Sequence, residues 1–274
     1  MATINTNPGA MLALQNLNKT NSELQTVQQR INTGLEISSA KDNGGVYAIA
    51  QSMRADVGGY KAVNQSLDLA QSTVDVGLAA GEAISDLMVE MKEKALAASD
   101  SSLDSASRGA LNEDFEALRD QIGTIVENAE FNGKNLISNG ASAIEALANP
   151  DGSNSITIAA EDLSLTGSTL TIATTTSIDS VTDASNAASA IETSLDNLNS
   201  ALARLGTGSK SLEVHKTFVG KLSDSLEQGI GNLVDADLAK ESARLQSLQV
   251  KQQLGTQALS IANSAPSSIL GYFR

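Results

Sequence analysis

Residues 186–233 read NAASAIETSLDNLNSALARLGTGSKSLEVHKTFVGKLSDSLEQGIGNL, and within them Ile191, Leu198, Leu205, Leu212, Val219, Leu226 and Leu233 recur at an unbroken spacing of seven. A single amphipathic helix does not require that regularity. A seven-residue apolar repeat keeps one stripe on the same side of a slightly underwound helix, and the stripe is buried by wrapping against other helices. The second seam position carries Leu195 and Leu202, then Ser209, Lys216 and Ser223, then Ile230, so its middle is half polar. At about 1.5 Å per residue such a helix extends roughly 70 Å, too long for the interior of a compact domain. The stretch predicts a mainly α fold: an elongated heptad-repeat bundle, or rod, with this helix as its spine.

Composition agrees with that reading. Aromatic residues make up only 3% of the 274 residues and Trp is absent, so buried area must come from aliphatic side chains spread along helices. The net charge of −14, with no basic block, disfavours a nucleic-acid backbone or an anionic membrane as partner. The lack of cysteine excludes disulfides, thiolate metal sites and cysteine nucleophiles, and His215 is the single histidine. The N-terminus offers no basic region followed by an apolar core, and no apolar run is long enough to span a bilayer. Taken alone, these features describe a cytoplasmic protein.

Outward from the spine, the heptad recurs on four further segments. Asn7-Pro8 is a helix start, with Asn7 as cap and Pro8 where a missing N–H costs nothing. From there Ala10, Leu17, Leu24 and Ile31 share one seam position, and Ala13, Thr20, Val27 and Gly34 the other. Before Glu23 the only charged side chain is Lys19, which marks a face built for protein contact rather than for water. Gly44, Gly45, Gly58 and Gly59 predict a turn, an extended connector and a short helix over 34–60. From Asn64 to Ala98 the heptad returns with Leu67, Val74, Gly81, Met88 and Ala95, and with Ala70, Gly77, Ile84, Met91 and Ala98. After a Ser-rich break, a third helix places Phe115, Ile122 and Ala129 against Leu111, Leu118 and Ile125. Between 138 and 185 the pairs Ile156/Ile158, Leu163/Leu165 and Leu170/Ile172 alternate with period two around Asp151-Gly152 and Gly167, which predicts a small β-rich insertion forming a knob on the rod. Beyond the spine the seven-residue phase slips at Val234-Asp-Ala-Asp237 and resumes with Leu238, Leu245 and Leu259, joined by Leu248, Gly255 and Ala262. After Lys251 the only charged side chain is Arg274, so both terminal helices combine an apolar seam with a nearly uncharged outer face.

No segment carries catalytic chemistry. Asp151-Gly-Ser-Asn154 is too short for a calcium loop and lacks its bidentate Glu, the glycine pairs form neither a P-loop nor a dinucleotide fingerprint, and Glu113-Asp114 and Glu161-Asp162 read as solvated faces. The chain is therefore expected not to be an enzyme and to hold no cofactor or metal.

The run from Arg30 and Ile31 through Asn32, Gly34, Ser39, Ala40 and Lys41 to Asp42 resembles the signature of bacterial flagellins, a motif shared with hook-filament junction proteins. Phe131-Asn132-Gly133 and Asp235-Ala236-Asp237 resemble further segments of the same superfamily, as does the end of the chain from Leu254 to Leu270. The resemblance covers residues 1–136 and 186–274, leaves out the insertion, and lies nearest to the short-insertion alphaproteobacterial type. It implies terminal arms, 1–34 and 238–274, forming the inner core of a filament, with a helical rod domain, 35–137 and 186–237, and a variable outer insertion, 138–185. The function so implied is that of a structural subunit of the flagellar filament, self-assembling into a helical tube for motility. The assembly core would comprise Leu12, Leu17, Leu24, Ile31, Leu238, Leu245, Leu248, Leu259 and Ile269. Implied partners are copies of the chain, an export chaperone covering Leu233 to Leu270, and hook-associated and cap proteins. Implied location is the extracellular flagellum, reached by type III export without a cleaved signal. O-linked glycans on Ser or Thr of the insertion are also part of the family pattern, with Thr174–Ser177 as an available stretch that exposed β structure explains equally well. The segment read by the animal flagellin receptor aligns with Glu90, Lys92 and Glu93; Glu90 stands where the family carries a cation, which predicts weak recognition. Two other readings remain at this stage: a hook-filament junction protein of the same superfamily, and a secreted coiled-coil adhesion module.

Overall fold

The computed structural model describes the backbone of residues 6–270 and side chains through Ser264. Its elements are α1 (Pro8–Thr33), α2 (Gly44–Ala98), α3 (Ser105–Asn128), β1 (Glu130–Phe131), β2 (Lys134–Asn135), β3 (Ile144–Leu147), β4 (Ser155–Ile158), α4 (Val181–Val234) and α5 (Leu238–Leu270). The fold is mainly α. The strands form two antiparallel two-stranded sheets, β1 with β2 and β3 with β4. The chain divides into two compact units, one taking in residues up to Ala55 with those from Ser225 onward, the other spanning Asp56–Asp224. The divisions expected at 34/35 and 237/238 fall at helix ends, whereas those of the structure fall inside α2 and α4.

In the second unit the heptad of α2 is buried at all ten seam positions, from Leu67 to Ala98. It packs antiparallel to α4, as the pairs Gln71–Ser209 and Lys92–Glu192 show. The α4 seam is buried at Ile191, Leu198, Leu205, Leu212 and Val219. On α3 the first seam is as expected, with Phe115, Ile122 and Ala129 buried, but the second lies one residue on. Asn112, Arg119 and Val126 are the buried side chains, and Leu111, Leu118 and Ile125 only flank the core. Apolar periodicity selects the wrong row because two of the buried residues are polar.

Those polar residues hold the insertion. Asn112 Oδ1 accepts a 2.7 Å bond from the Ile178 N–H, and Arg119 Nη1 donates to the Thr176 carbonyl at 2.8 Å. From α4, Ser194 Oγ accepts the Thr171 N–H at 3.0 Å. The expected knob is therefore corrected. Only 144–158 forms a hairpin, a single bridge joins Leu165 to Leu170, and Leu163, Leu170, Ile172 and Ile178 are fully buried in the helical core. Period-two alternation there reflects side chains alternately entering that core, not strands of an outer sheet.

Two further expectations change. The connector over 34–60 is confined to 34–43, because α2 starts at Gly44 and runs unbroken through Gly58-Gly59. The phase slip at 234–237 is a full break between α4 and α5, not a local unwinding.

Candidate functional site

The first unit is built around α1 and α5. Asn7 caps α1 as its sequence requires, Oδ1 accepting the Ala10 N–H at 3.1 Å, and its Nδ2 donates to the Ala262 carbonyl at 2.7 Å, tying the start of α1 to the end of α5. Gln252 Nε2 donates to Asn21 Oδ1 at 2.8 Å, and Arg30 Nη1 meets Glu241 Oε1 at 3.1 Å. That ion pair leaves Arg30 Nε and Glu241 Oε2 buried without hydrogen-bond partners.

The structure sorts the nine proposed assembly residues into two groups. Leu17, Leu24, Ile31, Leu245 and Leu259 are half-buried and Leu248 is buried, together with Val27, which the seam also contains. These residues lie on the seams of the α1–α5 pair itself. Leu12 and Leu238 are exposed at 59% and 49%, and Glu241, not Leu238, is the buried residue in the first turn of α5. Ile269 lies outside the described side chains. Leu14, which the sequence places with Leu12 beside the α1 seam, is also turned outward at 48% exposure; sequence reasoning missed Met11, Val250, Leu254 and Ile261, the last at 70% exposure. The nearly uncharged outer faces pointed to them. Single exposed apolar side chains are ordinary on a protein surface, but contiguous apolar patches mark interaction sites.

The superfamily motifs converge on the loop beside this pair. Gly34 ends α1 in the left-handed conformation, φ 72°, a position that strains any residue with a Cβ. Its carbonyl accepts the Ala236 N–H at 2.9 Å, and the Glu36 N–H donates to the Val234 carbonyl at 2.7 Å, with Leu35 bridged antiparallel to Asp235. Segments about 200 residues apart in sequence thus pair through main-chain bonds. Asp237 then caps α5, Oδ1 accepting from the Ala239 and Lys240 N–H groups at 3.0 and 3.1 Å. Asp42 Oδ2 accepts from the N–H and the hydroxyl of both Ser38 and Ser39, at 2.9–3.2 Å. These bonds hold its carboxyl below the usual carboxylate range, the Ser39 N–H contributing most. Asn32, Ala40 and Lys41 are exposed. In the other unit, Asn132 and Gly133, at φ 50° and 75°, make the two-residue turn between β1 and β2.

Residues 4–142 match the model of the bacterial flagellin N-terminal helical region, and residues 188–273 that of the C-terminal helical region. The chain belongs to the bacterial flagellin family. It is 57% identical to flagellin FljK of Caulobacter vibrioides over 271 residues, 99% of this chain and 98% of that one. A flagellin of Brucella melitensis is 37% identical with both chains fully covered. The crystal structure of Bacillus cereus flagellin superposes with a TM-score of 0.50 at 22% identity, over 56% of this chain and 88% of that one, a likeness of fold. This flagellin is a structural subunit of the flagellar filament. Among its described residues no helix is long and apolar enough to cross a membrane.

Proposed function

We propose that the α1–α5 pair is the element through which this flagellin polymerises, its outward apolar side chains being buried against copies of the same pair. The exposure of Met11, Leu12, Leu14, Val250, Leu254 and Ile261 on two nearly uncharged helices carries this reading. A contact repeated between copies without closing into a ring generates a helical filament. The same exposed stretch of α5 suits an export chaperone, which would cover Leu233 to Leu270 before the chain leaves the cell without a cleaved signal. Hook-associated and cap proteins would meet the filament at its ends. A structural role, with no enzymatic activity, follows from that assembly function. Receptor recognition is expected to be weak because Glu90 is exposed and anionic, and Lys92 is drawn to Glu192 at 3.4 Å. If the insertion carries glycans, Thr174 and Thr175 are better acceptors than Thr176, whose hydroxyl accepts the Ala173 N–H at 3.1 Å.

The test is seeded polymerisation of the purified chain, viewed by negative-stain electron microscopy, beside a chain ending at Leu248. Long filaments from the intact chain alone support the reading. Filaments from both would remove α5 beyond Leu248 from the contact, and short capped stubs from the intact chain would favour a junction protein.

A further inference from the structure

We propose that, in the filament, α2 of one copy and α4 of its lateral neighbour meet through two matched stripes on the outward faces of the second unit. This rests on the filament reading and names one contact within it.

On α2, Glu82, Asp86, Glu90 and Glu93 stand on one exposed face, and none has an ion-pair partner among the described residues. Carboxylates three and four residues apart repel one another along their own helix. The nearby cations are already engaged, Lys92 with Glu192 and Lys94 with Asp114. Between and beside the carboxylates Val89 and Leu96 are 47% and 54% exposed. The stripe is thus anionic with apolar residues set into it, and nothing in its own chain offsets the charge.

On α4 the reverse arrangement occurs. Lys210 and Lys221 are exposed, with Val214 and Phe218 between them at 59% and 56% exposure. The latter two line an open groove of about 880 Å³ beside the β4 residue Ile156. Lys221 has no ion-pair partner among the described residues, and Lys210 is paired with Glu213 at 2.6 Å on its own helix face; with both side chains more than 60% exposed, against about a third for Lys92 and Lys94, that pair is weak enough to exchange for another carboxylate. Lys216, on another side of α4, is engaged by Asp68. In a chain of net charge −14, copies repel one another, and a basic stripe is where an acidic stripe of the next copy can approach.

The spacing matches as well as the charge. Eleven residues separate Lys210 from Lys221 and Glu82 from Glu93, and four separate Lys210 from Val214 and Val89 from Glu93. Eleven residues span about 16 Å of helix. Within one chain α2 and α4 are antiparallel, and a screw operation leaves the sense of helices along its axis unchanged, so with both helices along the filament axis α2 of one copy runs antiparallel to α4 of the next. In that sense Lys210 faces Glu93, Val214 faces Val89, and Lys221 faces Glu82. The two stripes cannot meet within a single chain. Residue 92 of α2 lies beside residue 192 of α4, which leaves Lys210 some 27 Å further along the helix. The partner is a second copy.

Two readouts test this on full-length chains. A Lys210→Glu/Lys221→Glu chain and a Glu82→Lys/Glu93→Lys chain should each polymerise with a critical concentration at least about tenfold above the parent. The chain carrying all four changes should return towards the parent. Because the protein has no native cysteine, Val89→Cys/Val214→Cys filaments treated with oxidised glutathione should give a covalent ladder, while the same monomer, and filaments of either single variant, should not. Parent-like polymerisation of both reversed chains, or double-cysteine filaments without a ladder, would overturn the contact and leave the filament reading standing. A parent chain that does not polymerise removes both.

Discussion

Asp42 shows how much order one exposed carboxylate can impose. It accepts every hydrogen bond that the Ser38 and Ser39 backbone and side chains donate in this loop, which gives the Ser-Ala-Lys-Asp motif its physical basis. Its folded pKa is lowered, so its contribution is present above the ordinary carboxylate pKa of about 3.9 and is lost as pH falls through the lower folded value. Amide exchange at Ser38 and Ser39, relative to the intrinsic rate at each pH, should therefore stay slow from neutral pH down to the ordinary carboxylate range and rise only below it. In Asp42→Asn it should be several-fold faster at neutral pH and lack that acid transition. Arg30 and Glu241 pose a different residue-scale problem, since their single hydrogen bond leaves two buried polar atoms unsatisfied. Glu241→Ala should destabilise the monomer by about 1–3 kcal/mol because the Arg30 guanidinium loses its partner. Arg30→Leu/Glu241→Leu should come within about 1 kcal/mol of the parent, as replacing both members of a buried pair removes the desolvation cost with the attraction. Urea unfolding of the parent and these two variants measures both.

At the scale of elements, adjacent glycines in α2 carry opposite expectations. A Cβ on Gly58 would meet nothing within 4 Å, whereas one on Gly59 would lie 2.4 Å from Pro150 Cβ. Gly58→Ala should raise stability by up to about 1 kcal/mol through helix propensity. Gly59→Ala should cost about 1–3 kcal/mol, because the loop after β3 must move off the helix. Thermal unfolding followed by circular dichroism separates the two signs. The pair also explains why α2 was misread from sequence. Gly-Gly is a breaker by local chemistry, and the residue that requires Gly59 is 91 positions away. The α3 seam failed for a related reason. Asn112 and Arg119 look solvent-facing until Ile178 and Thr176 are placed against them. The α2 seams, and the first α4 seam as far as Val219, were legible because every buried position there is apolar or small, so the period alone locates them. The second α4 seam was not: Ser194 and Ala201 are buried, one residue before the expected Leu195 and Leu202, and Lys216 is exposed.

For the whole molecule, the legible feature was where charge is missing. An apolar seam on each terminal helix named the residues that pair α1 with α5, but a seam cannot show which apolar residues lie beyond it. That required the structure, in which Ile261 and Leu254 are 70% and 58% exposed while Leu248 is buried. The distinction separates folding from assembly. Ile261→Asn and Leu254→Asn remove side chains already in water, so monomer stability should change by no more than about 0.5 kcal/mol. If these side chains are buried between copies, each loses about 1.5–3 kcal/mol of apolar transfer per contact, equivalent to a roughly tenfold to hundredfold rise in critical concentration. Leu248→Asn should instead loosen the α1–α5 pair in the monomer, speeding proteolysis of both termini before any polymer forms. Sedimentation of seeded mixtures, with limited proteolysis of the unpolymerised chains, distinguishes the two effects. Ile261→Asn filaments forming at the parental concentration would place that side chain on a solvent-facing side of the filament core and leave Met11, Leu12 and Leu14 to carry the contact.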